Sequence, residues 1–192
     1  MKAIFLVGFK HSGKSALGKN AAKLLKIPFV DIDDLILAKI KPTYNSIREF
    51  YKNEGEAAFV ALERDALKEF LFSNEDQLHI IATGGGICDN KEAIKLMKTG
   101  RLIFLDVAPR ALYKRIVASG FPPFIDKTRP KASFDQLYKR RSGQYRQISD
   151  YVLPLLDCRS VDENAILLAE LINKVIEREE SWQQIPLEQH LE

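Results

Sequence analysis

The sequence has few of the residues on which whole classes of protein depend. Its 192 residues include two cysteines, one tryptophan and three histidines. Cys88 and Cys158 stand far apart and match no metal-ligand spacing, so we expect two reduced thiols rather than a disulfide or a zinc site. A net charge of +3, from 29 Lys and Arg against 26 Asp and Glu, indicates no general affinity for nucleic acids or membrane surfaces.

The chain also lacks a long apolar run. The first apolar stretch, Ala3–Val7, is followed by glycine and lysine and is too short for a signal peptide. No stretch approaches the length of a membrane-spanning helix. The composition, 46% hydrophobic and 29% charged, is that of an ordinary globular protein. We expect a cytoplasmic protein that works as a monomer, without a membrane or nucleic-acid partner.

Short apolar runs alternate with longer amphipathic segments. The runs are typical of strands buried on both faces, and they cover residues 3–7, 28–32, 79–82, 102–105 and 151–155. The segments between them have helical spacing and cover residues 14–25, 46–72, 91–97, 110–117, 134–148 and 165–176. This alternation predicts an α/β fold, a three-layer sandwich in which helices cover both faces of a five-stranded parallel sheet.

Two regions interrupt the alternation. Residues 46–72 are too long for one crossover helix and contain Gly55, which predicts two helices within a helical substrate cap at residues 34–72. Residues 119–132 are rich in proline and charge and predict a mobile lid. We therefore expect one domain over residues 1–178 and a C-terminal tail at residues 179–192, where the periodicity is weak.

The segment after the first predicted strand fits the phosphate-binding pattern G-x-x-x-x-G-K-[ST]. It reads GFKHSGKS at residues 8–15 and opens the first predicted helix, a context that argues against a chance match. Backbone N–H groups of such a loop hold phosphate oxygens, and the helix N-terminus adds positive potential. We expect Lys14 to contact the β- and γ-phosphates of ATP and the Ser15 hydroxyl to bind Mg²⁺. The predicted nucleotide-binding residues of this segment are Gly8, His11, Ser12, Gly13, Lys14, Ser15 and Ala16.

Acidic residues follow the second predicted strand. Asp31 and Asp33 are two apart on an extended chain, so both side chains could face the phosphate loop. One carboxylate could hold Mg²⁺ through water while the other accepts the proton of an attacking hydroxyl. The alternative is that these acids cap a helix beginning at Leu35, a role that fits Asp34 best.

Three glycines follow the third predicted strand, at Gly84, Gly85 and Gly86. Bare backbone lets a ligand approach closely and lets N–H groups face an anion. A plain flexible turn would also use glycine, so the triplet alone fits either a ligand pocket or a turn.

Together these motifs resemble the shikimate kinase family of nucleoside-monophosphate-kinase-like P-loop proteins. The similarity spans residues 1–176 and includes the P-loop, D-x-D at residues 31–33, G-E-x-x-F-x-x-x-E at 55–63, T-G-G-G at 83–86 and R-x-x-x-Y at 141–145. The resemblance implies transfer of phosphate from Mg-ATP to a hydroxyl of shikimate, giving shikimate 3-phosphate and ADP, a reaction of aromatic amino-acid biosynthesis.

The resemblance also implies roles for individual residues. Lys14 and Asp33 would be catalytic, with Asp33 orienting and deprotonating the hydroxyl, and Asp31 would hold Mg²⁺ through water. The glycines 84–86 would line the substrate pocket. Arg141 would bind the substrate carboxylate, although a basic helix face is often merely solvated, and Arg115 would stack over the adenine. The lid would close over ATP.

Three positions depart from the family pattern. Val60 stands where the family has an arginine that helps to bind the carboxylate, and Pro122-Pro123 stands where the lid has an Arg-Pro pair. His11 replaces a glycine, which histidine can do because it is enriched at positive φ. Arg64, one helical turn after Val60, could supply the missing guanidinium, or it could be a solvated helix charge. Lys127 or Arg129 could replace the lid arginine.

These departures leave two further functions open. The acceptor could be another small polyol or sugar acid, since valine offers no paired donors for a carboxylate. Alternatively, the chain could be a nucleotide-binding regulatory module with little transfer activity. The intact Asp31, Asp33, Lys14 and Ser15 argue against that last interpretation.

Overall fold

The computed structural model describes residues 3–122 and 125–183, and a parallel sheet lies at its centre. The strands lie in the order β2-β3-β1-β4-β5, and every neighbouring pair is parallel. Their bounds are β1 Ala3–Val7, β2 Phe29–Asp31, β3 His79–Ala82, β4 Arg101–Val107 and β5 Tyr151–Leu155. The predicted α/β fold with a five-stranded parallel sheet is therefore confirmed.

Helices connect the strands and cover the sheet. Their bounds are α1 Lys14–Leu25, α2 Ile32–Ile40, α3 Ile47–Ser73, α4 Lys91–Met97, α5 Pro109–Ser119, α6 Pro130–Ile148 and α7 Val161–Gln183. A short 3₁₀ turn, Ile87–Asp89, precedes α4. Gly55 takes φ 83° and ψ 179° inside α3, so the predicted break between two helical segments is confirmed.

The core lies along the central strands. Every residue of β1 is completely buried, since β1 pairs with β3 on one side and β4 on the other. Around the sheet, α1 packs against α7, α2 against α3, and α5 against α6. This core fixes the carboxyl ends of β1, β2 and β3 side by side, which is where the sequence motifs begin.

Several element ends differ from the sequence-based expectation. The expected lid, residues 119–132, is shortened because α5 continues to Ser119 and α6 begins at Pro130. Proline is well tolerated in the first turn of a helix, where its missing N–H is not needed, so Pro130 starts a helix rather than ending a loop. The lid position Pro123 lies outside the described residues.

The predicted tail boundary also falls inside a helix. Helix α7 runs to Gln183, past the expected domain end at residue 178. Glu179 accepts a hydrogen bond from Nε of Arg101 at 2.8 Å and pairs with its Nη2 at 2.6 Å, which ties this part of α7 to β4. The remainder of the expected tail, residues 184–192, lies outside the described residues. Over the described ranges, 3–122 and 125–183, no helix is both long and apolar enough to cross a membrane.

Candidate active site

The three sequence motifs meet at one edge of the sheet. The phosphate loop follows β1, the acidic segment follows β2, and the glycine triplet follows β3, and these strands are neighbours in the order β2-β3-β1. Carboxyl ends of parallel strands lie at the same edge, so the sheet itself gathers the motifs. Thr83 strengthens the junction, since its backbone N–H and its Oγ1 both donate to the carbonyl of Leu6 at 3.1 Å.

The phosphate loop has the backbone shape that its sequence predicts. Gly8, His11 and Gly13 take φ values of 143°, 65° and 96°, all in the region that L-residues rarely adopt. His11 is therefore accommodated at the position where a glycine was expected. The loop leads directly into α1, so the N-terminus of this helix lies at the carboxyl end of β1.

Lys14 lies inside this loop with only 7% of its surface exposed. Its ammonium donates to the carbonyls of Gly8 and Phe9, both at 2.8 Å. Burial lowers the pKa of Lys14 to about 8, although the nearby charges of Asp33 and Asp31 oppose this shift. The ammonium therefore stays mainly charged at neutral pH.

Ser15 and Asp31, the two residues predicted to hold Mg²⁺, lie together. Oγ of Ser15 donates to Oδ2 of Asp31 at 2.5 Å. Asp31 is also the N-cap of α2, where its Oδ1 accepts from the backbone N–H of Asp33 at 3.0 Å. The capping role expected for Asp34 therefore belongs to Asp31, because α2 begins at Ile32 rather than at Leu35. A hydroxyl beside a carboxylate is an oxygen donor set that suits Mg²⁺.

Asp33 lies on the first turn of α2 rather than on an extended strand, which corrects the expected geometry. Its Oδ1 is 3.8 Å from the point that a Cβ on Gly84 would occupy, so it faces the glycine segment. Asp33 is accessible to solvent, but the surrounding protein partly desolvates it. That desolvation raises the pKa of Asp33, and the Asp31 charge adds to the effect while Lys14 opposes it.

The glycine segment is in close contact with the groups around it. A Cβ on Gly84 would lie 2.6 Å from Oε1 of Glu63, and a Cβ on Gly85 would lie 2.5 Å from the backbone nitrogen of Lys10. A Cβ on Gly86 would lie 3.1 Å from Nη2 of Arg141. The triplet is thus the place where the phosphate loop, α3 and α6 approach one another, rather than a plain flexible turn.

Arg141 reaches this segment from α6. Arg141 is 9% exposed, and its Nη1 donates to the carbonyl of Gly85 at 3.1 Å. Tyr145, fully buried, donates to the same carbonyl at 3.1 Å. Arg141 also donates to Oδ2 of Asp89 through Nε at 3.0 Å and Nη2 at 2.8 Å. Asp89 was not singled out from the sequence.

Glu63, the last residue of the G-E-x-x-F-x-x-x-E motif, is a further acidic group beside the glycine segment. It is 2% exposed, and its Oε2 accepts from Nδ2 of Asn90 at 3.0 Å. Burial raises the pKa of Glu63 to about 7, with the Asn90 hydrogen bond opposing the shift and the Asp33 charge adding to it. The signal in the sequence is a glutamate that directly follows four apolar residues of α3.

Arg115 reaches the outer edge of the phosphate loop. Its Nη1 donates to the carbonyl of His11 at 3.1 Å, and its Nη2 pairs with Asp157 at 2.9 Å. Burial, and then the charges of Lys10, Lys14 and Arg115, lower the pKa of His11, so its imidazole is neutral at pH 7. The structure therefore brings Arg115 to the phosphate loop.

Comparison with known proteins identifies one family over nearly the whole chain. A family model described as shikimate kinase matches residues 10–178. The chain belongs to the shikimate kinase family. The shikimate kinase of Francisella philomiragia is 33% identical over 91% of this chain and 92% of its own length. That of Chlamydia pneumoniae is 33% identical over 79% of this chain and 85% of its own.

Solved structures of the family agree with the fold. The shikimate kinase of Bacteroides thetaiotaomicron is 29% identical and has a TM-score of 0.74, covering 90% of this chain and 98% of that one. The structure of Acinetobacter baumannii shikimate kinase in complex with shikimate has a TM-score of 0.78 over 91% and 94% of the two chains. At 24% identity, this second likeness shows the fold alone. Members of the family are phosphotransferases that act on a hydroxyl group of shikimate.

Two residues that could replace family arginines each pair with a nearby aspartate in this structure. Arg64 pairs with its neighbour Asp65 at 2.7 Å, and its side chain is 40% exposed. Arg129 is 82% exposed and lies 4.0 Å from Asp126 within its own loop. The Val60 position is instead held through its backbone, whose carbonyl accepts from Nδ2 of Asn90 at 3.0 Å.

Proposed function

We propose that this chain is an ATP-dependent shikimate kinase, which transfers the γ-phosphate of ATP to a hydroxyl of shikimate and releases ADP and shikimate 3-phosphate. The observation that carries the proposal is the convergence of Lys14, the Ser15–Asp31 pair and Asp33 on adjacent strand ends of a shikimate kinase fold. Neither another acceptor nor a regulatory module finds support in the comparisons, and the product belongs to aromatic amino-acid biosynthesis.

The reaction needs little covalent participation by the protein. The hydroxyl oxygen forms a bond to the γ-phosphorus while the bond between that phosphorus and the β,γ-bridging oxygen breaks, and the hydroxyl proton passes to the Asp33 carboxylate. Lys14 holds the β- and γ-phosphates together with the loop N–H groups, which stabilises the charge that develops on the transferred group. Mg²⁺, when bound, neutralises phosphate charge, and Ser15 and Asp31 are the residues that would hold it.

The acceptor lies, in this proposal, over the glycine segment. Gly84 lies next to Asp33, and Arg141, anchored to the carbonyl of Gly85, offers a guanidinium for the shikimate carboxylate. On the other side of the loop, Arg115 flanks the adenine, and the lid segment closes over ATP and excludes water. A monomer in the cytoplasm remains our expectation for the working state.

The test is ADP release by the purified protein with Mg-ATP and shikimate, compared with a panel of polyols, sugar acids and nucleoside monophosphates. Saturable turnover with shikimate, and none of comparable efficiency with the panel, is the expected result. Turnover restricted to a different acceptor would replace the substrate in this proposal. ATP binding without transfer to any acceptor would overturn the proposal in favour of the regulatory module.

A further inference from the structure

A short segment next to the glycine triplet connects α6 to α3. Asp89 ends the 3₁₀ turn that follows Gly86, and it accepts hydrogen bonds from α6. Asn90, the next residue, donates to the carbonyl of Val60 on α3 at 3.0 Å. Asp89 and Asn90 therefore link the arginines of α6 to Val60, which stands where the family has an arginine.

Asp89 is bound by two consecutive arginines rather than by one. Arg141 donates to its Oδ2 through Nε and Nη2, at 3.0 and 2.8 Å. Arg140 donates to Oδ1 through Nη1 and to Oδ2 through Nη2, the latter at 3.2 Å. Although burial alone would raise the pKa of Asp89, the hydrogen bonds and charges of both arginines lower it. Asp89 thus stays ionised and holds the two guanidinium groups side by side.

Asp89, Arg140 and Arg141, here called the trio, carry a net positive charge that would attract a further anion. Glu63 is another acidic group near Arg141, and burial raises its pKa to about 7. Asp89 and the two guanidinium groups together carry one net positive charge beside the glycine segment. A ligand carboxylate would neutralise it, and guanidinium groups bind carboxylates with paired, charge-assisted hydrogen bonds. The trio therefore offers the guanidinium groups for a carboxylate that the valine at position 60 does not.

The two arginines differ in how far their side chains are exposed to solvent. The Arg141 side chain is 11% exposed and is anchored to Gly85, whereas the Arg140 side chain is 50% exposed. Arg140 also donates through Nη1 to Oε1 of Gln144 at 3.0 Å, one helical turn further along α6. Arg140 is thus oriented by two partners and still open to solvent and to a ligand.

We propose that Arg140 is a second carboxylate-binding residue of the acceptor site, positioned by Asp89 and supplying the guanidinium that Val60 cannot. The assignment rests on the proposed function, because it takes the shikimate carboxylate as the ligand of the Arg140–Arg141 pair. Arg140 lies outside the residues that the sequence motifs define, since it directly precedes the R-x-x-x-Y element.

The experiment is steady-state kinetics of the unaltered protein, Arg140→Ala and Arg140→Lys, each with shikimate and with its uncharged carboxamide as acceptor. Arg146→Ala is the matched control, since Arg146 lies on the same helix, is 54% exposed and pairs with an aspartate, Asp106. Thermal unfolding checks that each variant is folded.

For Arg140→Ala we expect KM for shikimate to rise about 10-fold or more, the effect of losing one charge-assisted hydrogen-bonding group. KM for ATP and kcat should change little, and the carboxamide should be used almost as well as by the unaltered protein. Arg140→Lys, which keeps the charge without the paired donors, should be intermediate. Arg146→Ala should match the unaltered protein.

Two results overturn the assignment, and they can be told apart. If the unaltered protein turns over shikimate and Arg140→Ala keeps its KM, or loses as much with the carboxamide as with shikimate, the assignment of Arg140 is wrong and the proposed function stands. If the unaltered protein does not turn over shikimate, the proposed function fails and the assignment fails with it.

Discussion

Nδ2 of Asn90 donates to two acceptors on one turn of α3, Oε2 of Glu63 and the backbone carbonyl of Val60, each at 3.0 Å. Asn90 is itself 2% exposed, so this contact takes place inside the protein. A neutral amide thus meets a buried glutamate in this part of the site. The Asn90 hydrogen bond and the Arg141 charge favour the ionised carboxylate, but burial, together with the charges of Asp33 and Asp89, outweighs them and raises the pKa of Glu63 to about 7.

The raised pKa makes Glu63 a source of pH-dependent stability. The folded state binds the Glu63 proton up to about pH 7, whereas the unfolded chain releases it near its ordinary value of 4.5. This contribution is therefore fully present below pH 4.5 and is lost as pH rises through about 7. Glu63→Gln cannot ionise, so its free energy of unfolding relative to the unaltered protein should rise by about 2–3 kcal/mol between pH 5 and pH 8.

Urea denaturation at several pH values measures this difference. Glu92→Gln is the control, because Glu92 is exposed and pairs with Lys95, and it should show no comparable gain at high pH. A Glu63→Gln difference that stays constant from pH 5 to pH 8 would show that Glu63 is ionised throughout, contrary to the expectation.

Asp33 should determine the acid side of the pH–rate profile. Because desolvation and the Asp31 charge raise the pKa of Asp33, its base form is reached at higher pH than for an ordinary aspartate. We expect kcat/KM to rise with pH through that raised pKa. Asp33→Asn should lower kcat by about 100-fold or more and should remove this rise, since a positioned general base contributes about 10²–10⁴.

Asp34→Asn is the matched control for that experiment. Asp34 lies on the same first turn of α2 and is exposed, so its variant should keep both kcat and the shape of the profile. If Asp33→Asn retained the acid limb, another group would be responsible for it, and the role of Asp33 as base would be excluded.

The parts of the site that the sequence could predict are those set by local motifs. The phosphate loop, including the positive φ of His11, follows from eight consecutive residues and the strand and helix around them. The motifs predict that Ser15 and Asp31 serve one Mg²⁺ site, and their side chains are in contact in the structure. The N-cap of α2 is Asp31 rather than Asp34, because the helix begins three residues before the expected Leu35. Helix boundaries depend on cap geometry, which composition does not determine.

The contacts that the sequence could not predict join residues far apart along the chain. Asp89 meets Arg140 and Arg141 about fifty residues later, and no periodicity indicates that pairing. Arg64 shows the opposite problem: its spacing from Val60 suggested a shared face, but its adjacent carboxylate, Asp65, binds it at the surface. Spacing along a helix indicates a direction, whereas the partner depends on what the fold brings near.

The Ser15–Asp31 pair should determine how much Mg²⁺ the reaction needs. Oγ of Ser15 lies 2.5 Å from Oδ2 of Asp31, so the two oxygens can serve one cation. Ser15→Ala removes one of them, and we expect the Mg²⁺ concentration for half-maximal activity to rise about 10-fold, with a lower kcat. Ser15→Thr keeps the hydroxyl and should stay close to the unaltered protein. A Ser15→Ala variant with unchanged Mg²⁺ dependence would remove Ser15 from the proposed metal site.

Gly85 should be intolerant of even one added methyl group, although it has no positive φ. A Cβ there would lie 2.5 Å from the backbone nitrogen and 2.9 Å from Cα of Lys10, and a backbone cannot move aside as a flexible side chain can. Gly85→Ala should therefore displace the phosphate loop from the acceptor site. A misplacement of about 1 Å can cost about 100-fold in rate, and we expect a loss of that order in kcat with both substrates still bound.

Gly143→Ala separates this effect from the general consequences of replacing a glycine. Gly143 lies inside α6 with nothing within 4 Å of its added Cβ, so alanine should stabilise the helix by about 0.5–1 kcal/mol and leave kcat unchanged. Thermal unfolding and steady-state kinetics on both variants measure the contrast. If Gly85→Ala kept full activity, the phosphate loop could shift without harm, and close contact between Lys10 and Gly85 would not be needed to align ATP with its acceptor.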